Sequence, residues 1–298
     1  MAIEHLVISG GGPKGLVAYG ALQETSKRGV WSRDRLKSIW ATSFGSIIAL
    51  LICLDYSWED LDDYIIKRPW QDTVNVRFQE YVDIITTRGL ITNGFCKIAL
   101  DPLLLARDIP IDITLKSFAE RTGIELHFFA TDINTVTLTT VELSNSKTPD
   151  IGIVQAVTMS TAVPVVFPPV FYHDSCFIDG GILNNYPVEE CLSRDGATMD
   201  NVLGFNMTFD AGNSDKLKED CSVFEFLGRT LRELIKVAGK RSADAGRLKH
   251  EVACRIWETG GFEEWVSILK ESDVRSGLIS KGREQGATFS EKFLTPET

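Results

Sequence analysis

The first 55 residues contain one local pattern twice, and this repetition limits the fold more than any other feature of the chain. Residues 5–9 (HLVIS) form a short apolar run, a glycine cluster at residues 10–15 (GGGPKG) follows, and residues 14–27 have helical composition. Residues 36–41 (LKSIWA) are a second strand-like run, followed by residues 44–54 (FGSIIALLICL), apolar on nearly every side and so a buried helix. Two consecutive strand–loop–helix units predict a parallel sheet covered by helices.

Further along, residues 57–106 are mostly helical, with Ser57 and an acid three positions on, Asp60, as a capping signal. A helix over residues 114–121 is closed by Gly123, and residues 125–131 and 135–143 are strands rich in β-branched side chains. A short helix (151–159), an extended apolar loop (163–171, VPVVFPPVF) and strands at 176–178 and 202–207 come next, and from Asp220 onward the composition is helical. There is no internal repeat or Pro/Ser-rich linker. The expected fold class is α/β, a three-layer α/β/α arrangement with a mostly parallel central sheet. Residues 5–207 form the main domain, and residues 208–298 are a helical C-terminal region packed on or extending it.

A chain of 298 residues, 44% apolar, can bury a sizeable core. Its longest apolar runs, residues 47–54 and 163–171, fall far short of the roughly 20 residues of a membrane span. The start, MAIEH, has no basic and apolar leader, so no cleaved export signal is expected. Cysteines 53, 96, 176, 191, 221 and 254 include no C-x-x-C pair and read as reduced, which predicts a cytoplasmic location. A net charge of −10 argues against nucleic acid as a partner. One stretch is locally basic: Arg229, Arg232, Lys236 and Lys240 share a helical face beside Leu227, Leu231, Leu234 and Ala238. It reads either as a packed helix with a solvated face or as a transient peripheral contact with anionic membrane.

Gly10, Gly12 and Gly15 match G-x-G-x-x-G, but a dinucleotide site needs an acid at the end of the second strand, which here reads Trp40-Ala41-Thr42-Ser43. A phosphate loop fails as well, because Lys14 precedes Gly15 and Leu16 follows it. What the second corner does offer is ATSFG, residues 41–45, a serine between small residues where a strand turns into a helix. Such a nucleophile elbow needs small residues two positions either side of the serine, here Ala41 and Gly45. The helix beginning after Ser43 presents free N–H groups and a partial positive charge to a developing alkoxide. Loops at the carboxyl ends of neighbouring parallel strands lie side by side, so the amides of Gly11 and Gly12 converge toward Ser43 as an oxyanion hole. Pro13 lacks an N–H and biases Gly12 toward an extended conformation.

A serine nucleophile needs a base. Two arrangements are open: a triad with His250 and Asp179, or Asp179 alone, carried by CFIDGGILNNYPV on a turn loosened by Gly180 and Gly181. The acids of WEDLDDY (58–64) lack the glycine and alternating ligands of a calcium loop and read as a solvated helix face. Val165, Val166, Phe167 and Phe171 either line an acyl channel or pack the loop.

GGGPKG, ATSFG and DGG, in this order and at these separations, resemble the patatin-like phospholipase family, and FFATDIN and MSTAVPVVFPPV extend the resemblance over residues 5–207. The resemblance implies lipid acyl hydrolysis by a Ser43–Asp179 dyad without histidine, with no metal or cofactor. It also implies an oxyanion hole drawn from Gly10, Gly11, Gly12, Lys14 and Gly15, and membrane phospholipid or another acyl lipid as substrate. Ala41 departs from the family's glycine. It is the one feature favouring a different class, a catalytically silent lipid- or nucleotide-binding module on the same fold.

Overall fold

The structure, a computed structural model, describes residues 2–73, 88–91, 94–210, 217, 219–221, 223, 226–230, 233, 248–257 and 262–295. The two predicted units are present. β1 (His5–Ile8) leads through a 3-10 turn (Gly12–Gly15) into α1 (Leu16–Lys27), and β2 (Ser38–Thr42) leads directly into α2 (Phe44–Cys53). α3 (Trp58–Lys67) starts at the predicted cap, with Ser57 Oγ accepting the Asp60 N–H at 3.0 Å. α4 (Phe95–Leu105) and α5 (Leu115–Thr122) follow, and Gly123 closes α5 in the left-handed conformation (φ 71°). Residues 74–87 of the predicted helical stretch lie outside the described residues.

Among the described residues the sheet has eight strands. β3 (Glu125–Asp132), β2, β1, β7 (Val202–Asp210) and β8 (His250–Trp257) run parallel, in that order. β4 (Thr139–Ser144) pairs antiparallel with one edge of β3. β6 (Ser175–Asp179) pairs antiparallel with the other edge at residues 130–132, and β5 (Val170–Tyr172) pairs with β6. Alternation along the strands divides the core. Leu6, Ile8, Ile39, Ala41, Leu126 and Phe128 face the large helical layer, whereas Val7, Trp40 and Phe129 face a thin layer built on α7 (Val188–Leu192). The three layers are therefore unequal. α6 (Ile153–Ser160) packs beside α2 on the thick side.

Two expectations are corrected. The region after Asp220 is not helical throughout, since residues 250–257 form β8, which extends the sheet beyond β7. Its buried side chains alternate (Val252, Cys254, Ile256) as an edge strand requires, and only then do α8 (Phe262–Lys270) and α9 (Ser272–Leu294) follow. Gly12 also has φ +53°, not an extended conformation, and the Trp265 ring of α8 fills the space where a side chain would stand. Of the predicted basic face, Arg229 is helical and pairs with Glu233 at 3.1 Å, while Arg232, Lys236 and Lys240 lie outside the described residues.

The C-terminal helices matter because of where they dock. α9 crosses α1 at glycine contacts, and a Cβ on Gly286 would stand 2.8 Å from the Ala21 carbonyl oxygen. Buried Arg275 then ties α9 to two helix ends, donating to Ile268 O and Leu269 O (both 2.9 Å) in α8 and to Ile66 O (2.5 Å) and Arg68 O (3.3 Å) at the end of α3. A cation on C-terminal carbonyls also meets the negative ends of the helix dipoles. No helix among the described residues is long and apolar enough to cross a membrane. Of the acids in residues 58–64, Asp60 joins the Ser57 cap and Asp63 pairs with Lys67, as on a solvated helix face, whereas Asp62 is turned inward to Tyr19, Gln23 and Arg283 across the fold.

Candidate active site

Ile8 is level with Ala41 in the sheet, so the loop after β1 and the corner after β2 leave it side by side. At that corner Ser43 has φ 54° and ψ −130°, a conformation that costs a non-glycine residue about 1–3 kcal/mol and persists only where the surroundings impose it. Three contacts do so. The Ser43 N–H donates to Ser160 Oγ at 3.0 Å, Ser160 Oγ donates to Phe129 O at 2.6 Å, and Ser46 Oγ donates to Ser43 O at 2.6 Å. Gly45 lets α2 start directly over the end of β1, since a Cβ there would lie 2.7 Å from Ile8 O and 3.0 Å from Ser9 O. Ala41, by contrast, is a buried strand residue between Ile8 and Phe128, within the regular pairing of the sheet.

The aspartate arrives by topology. β2 occupies one edge of β3 only as far as Phe129, paired with Thr42, and β6 enters the same edge from the opposite direction, ending with Asp179 opposite Ala130. The last residue of β6 therefore meets the first residue beyond β2. Ser43 Oγ donates to Asp179 Oδ2 at 2.6 Å, and the other carboxylate oxygen accepts the Gly181 N–H at 2.7 Å. Thr131 Oγ1 holds the Asp179 carbonyl at 3.1 Å. Both partners are buried, Ser43 to 6% and Asp179 to 5% exposure. Burial pushes the Asp179 carboxyl up to about 6 from 3.8, against the opposing pull of the Ser43 hydroxyl and the Gly181 amide. It remains largely ionised at neutral pH, yet is a stronger base than an exposed aspartate.

The glycine loop passes against this pair, with Gly10 packed on Ser43 Cβ. The Gly10 N–H is taken by Asn185 O at 3.1 Å, while Asn185 Nδ2 donates to Gly10 O at 3.1 Å. The amides of Gly11 and Gly12 open the 3-10 turn, where an N–H has no acceptor within the turn. Gly15 packs on Phe44 at the start of α2, and Gly180 on Thr42 and the Phe129 carbonyl. The buried Lys14 side chain forms an ion pair with half-buried Glu264 of α8 (2.6 Å). Sequence reasoning missed Asn185, Ser160 and Trp265. Each acts on the corner or the glycine loop across more than a hundred residues of chain, a relation that leaves no local motif.

His250 does not join the pair. It lies at the amino-terminal half of the sheet, level with Leu203 and Leu6, whereas Ser43 leaves the carboxyl end two strands from β7. Of the others, His5 bonds Ser38 at 2.7 Å, and His127 stacks on Trp40 and bonds Glu142 at 2.8 Å. Next to Ser43 is a cavity of about 70 Å³ walled by Phe44, Ile47, Phe95, Phe167 and Trp265. A second apolar cavity of about 80 Å³ shares Phe44, Ile47 and Phe95 and extends to Leu51, Leu100 and Leu103. Phe167 alone of the four expected channel residues lines the cavity beside Ser43. Val165 is tied to Gly89 by a strand bridge, and Phe171 is 57% exposed.

Comparison with known proteins finds distant relatives. The chain is 27% identical over 184 residues to a probable lipid hydrolase of Invertebrate iridescent virus 6, covering 62% of this chain and 61% of the relative. It is 25% identical over 197 residues to the uncharacterized protein YqhO of Bacillus subtilis (strain 168), covering 61% of this chain and 64% of the relative. The match thus spans less than two thirds of either relative. The crystal structure of VipD from Legionella pneumophila superposes with a TM-score of 0.48 at 17% identity, over 98% of this chain and 67% of that one. The model of the patatin-like phospholipase family matches residues 6–192, a span holding the glycine loop, the Ser43 corner and Asp179, and the chain belongs to that family.

Proposed function

We propose that this protein is a lipid acyl hydrolase that cleaves carboxylic esters of phospholipids or related lipids through a Ser43–Asp179 dyad. The observation that carries the reading is the 2.6 Å hydrogen bond from a strained, buried Ser43 to a carboxylate of raised basicity, beside an apolar cavity. Ser43 Oγ attacks the ester carbonyl carbon while its proton passes to Asp179. The carbonyl oxygen, now carrying the negative charge, is received by the N–H groups of Gly11 and Gly12; losing one such donor typically costs about 3 kcal/mol of transition-state stabilisation. The tetrahedral intermediate collapses, the C–O bond to the alcohol breaks, and Asp179 returns the proton to the leaving oxygen. Water then attacks the acyl-enzyme by the same route, restoring Ser43.

The acyl chain lies in the cavity along Phe44 and Ile47 and continues toward Leu100 and Leu103. The cysteine spacing favours a reducing compartment, the cytoplasm, as the place of action. A p-nitrophenyl ester assay with Ser43→Ala as control, and labelling of Ser43 by a fluorophosphonate, test the reading. Hydrolysis and labelling that vanish together in Ser43→Ala are expected. Hydrolysis that persists in Ser43→Ala overturns the proposal.

A further inference from the structure

α8 lies outside residues 6–192, the span that the family model matches, yet it walls the cavity beside Ser43. Trp265 and Leu269 are one turn apart and so share a face of the helix. The Trp265 ring sits against Gly12, where a Cβ would come within 2.6 Å of its Cζ2, and it lines the Ser43 cavity together with Leu269. Leu269 also lines the second cavity, the one that extends to Leu51, Leu100 and Leu103. Pro13, Phe44, Ile47 and Phe95 are the other residues common to both, so Leu269 stands on the boundary between the two spaces.

The helix that carries this wall is fixed at both ends. Glu264, in its first turn, pairs with Lys14 of the glycine loop at 2.6 Å, and the carbonyls of Ile268 and Leu269, in its last turn, each accept a hydrogen bond from buried Arg275 at 2.9 Å. A wall held in this way does not swing aside for a longer chain, and a packed interior takes extra volume only at the cost of strain. An acyl chain entering from Ser43 fills the first cavity before it meets Leu269, and each further methylene that passes into the apolar space beyond gains about fourfold in affinity. We propose that Leu269, mounted on α8 with Trp265, selects acyl-chain length, its side chain limiting passage from the Ser43 cavity into the deeper one. Phe44 and Ile47 share the boundary, but they belong to the helix that follows the nucleophile, where a substitution also disturbs the Ser43 corner. The inference rests on reading Ser43 as a lipid-ester nucleophile.

The test compares p-nitrophenyl octanoate with p-nitrophenyl butanoate. The readout is the ratio of their kcat/KM values, because a variant that folds less well loses both activities alike. Leu269→Ala is expected to raise the octanoate-to-butanoate ratio about tenfold and Leu269→Phe to lower it about tenfold, the worth of one or two methylenes gained or lost from the deeper cavity. A ratio that stays within about twofold of the parent's in both variants, or that moves in the same direction in both, overturns the inference. Calorimetric titration of methyl octanoate into the Ser43→Ala protein, with and without Leu269→Phe, reads the same selection without turnover. Binding roughly tenfold weaker with Leu269→Phe is expected, whereas equal affinity, or no binding to either protein, overturns the inference. A parent protein that hydrolyses neither ester refutes the catalytic reading alone, and the titration then decides this one.

Discussion

Replacing Asp179 by asparagine should abolish hydrolysis and stabilise the protein, and the size of the second effect can be worked from the site. The folded carboxyl titrates at about 6 against 3.8 when unfolded. A carboxyl whose folded value is raised binds more protons in the folded state between those two values, so stability falls as pH rises through this window. A shift of about two units at 1.36 kcal/mol each places the cost of the buried anion near 3 kcal/mol at and above neutral pH. The asparagine side chain would be neutral and isosteric with the protonated acid, its Oδ1 accepting the Gly181 N–H and its Nδ2 donating to Ser43. Asp179→Asn is therefore expected to gain up to about 3 kcal/mol at pH 7.5, or roughly 5 °C in Tm, with the gain vanishing below about pH 4. Urea unfolding of both proteins at pH 7.5 and pH 4 measures it. A variant less stable than the parent at pH 7.5, or a difference that ignores pH, refutes the account of a buried carboxylate held at energetic cost for its basicity.

Other outcomes follow from the same contacts. In the parent enzyme kcat/KM should rise about tenfold per pH unit below 6 and level off above it, as a single ionised base requires; a pH–rate profile flat across pH 5–7 contradicts the role of Asp179. Gly45→Ala places a Cβ 2.7 Å from Ile8 O, backbone that cannot retreat, and should cost about 2 kcal/mol in urea unfolding and at least tenfold in hydrolysis. His250→Ala should keep esterase activity within about twofold, since His250 lies at the far half of the sheet. Arg275→Met leaves carbonyls at two helix ends without their donor and should destabilise by about 2–4 kcal/mol in the same unfolding assay.

The parts of the fold readable in the sequence were those built by neighbours in the chain. The strand–loop–helix units around Gly10–Gly15 and Ser43, the Ser57 cap and the Gly123 stop each depend on residues within a few positions of one another. Their propensities and spacings therefore survive in a linear string. β8 was legible in principle, because Val252, Cys254 and Ile256 alternate with less buried positions. The helical composition of the segments on either side concealed it. In the candidate pair, ATSFG and DGG mark Ser43 and Asp179, but neither motif says that they touch. Asn185, Ser160 and Trp265 were invisible for a related reason: each is an ordinary residue locally and becomes part of the site only through a contact across the fold.

The sequence by itself determined which residues could react: a serine on a strand-to-helix corner, glycines that allow close backbone approach, and an aspartate on a Gly-Gly turn, all consequences of local sterics. Tertiary structure alone decided that they meet. β2 stops at Thr42 and β6 enters the same edge of β3 from the other end, so Asp179 reaches Ser43 through a register set by strand pairing. The raised basicity of the carboxylate was likewise a tertiary decision, because desolvation depends on what many distant side chains bury and not on the three letters around the aspartate.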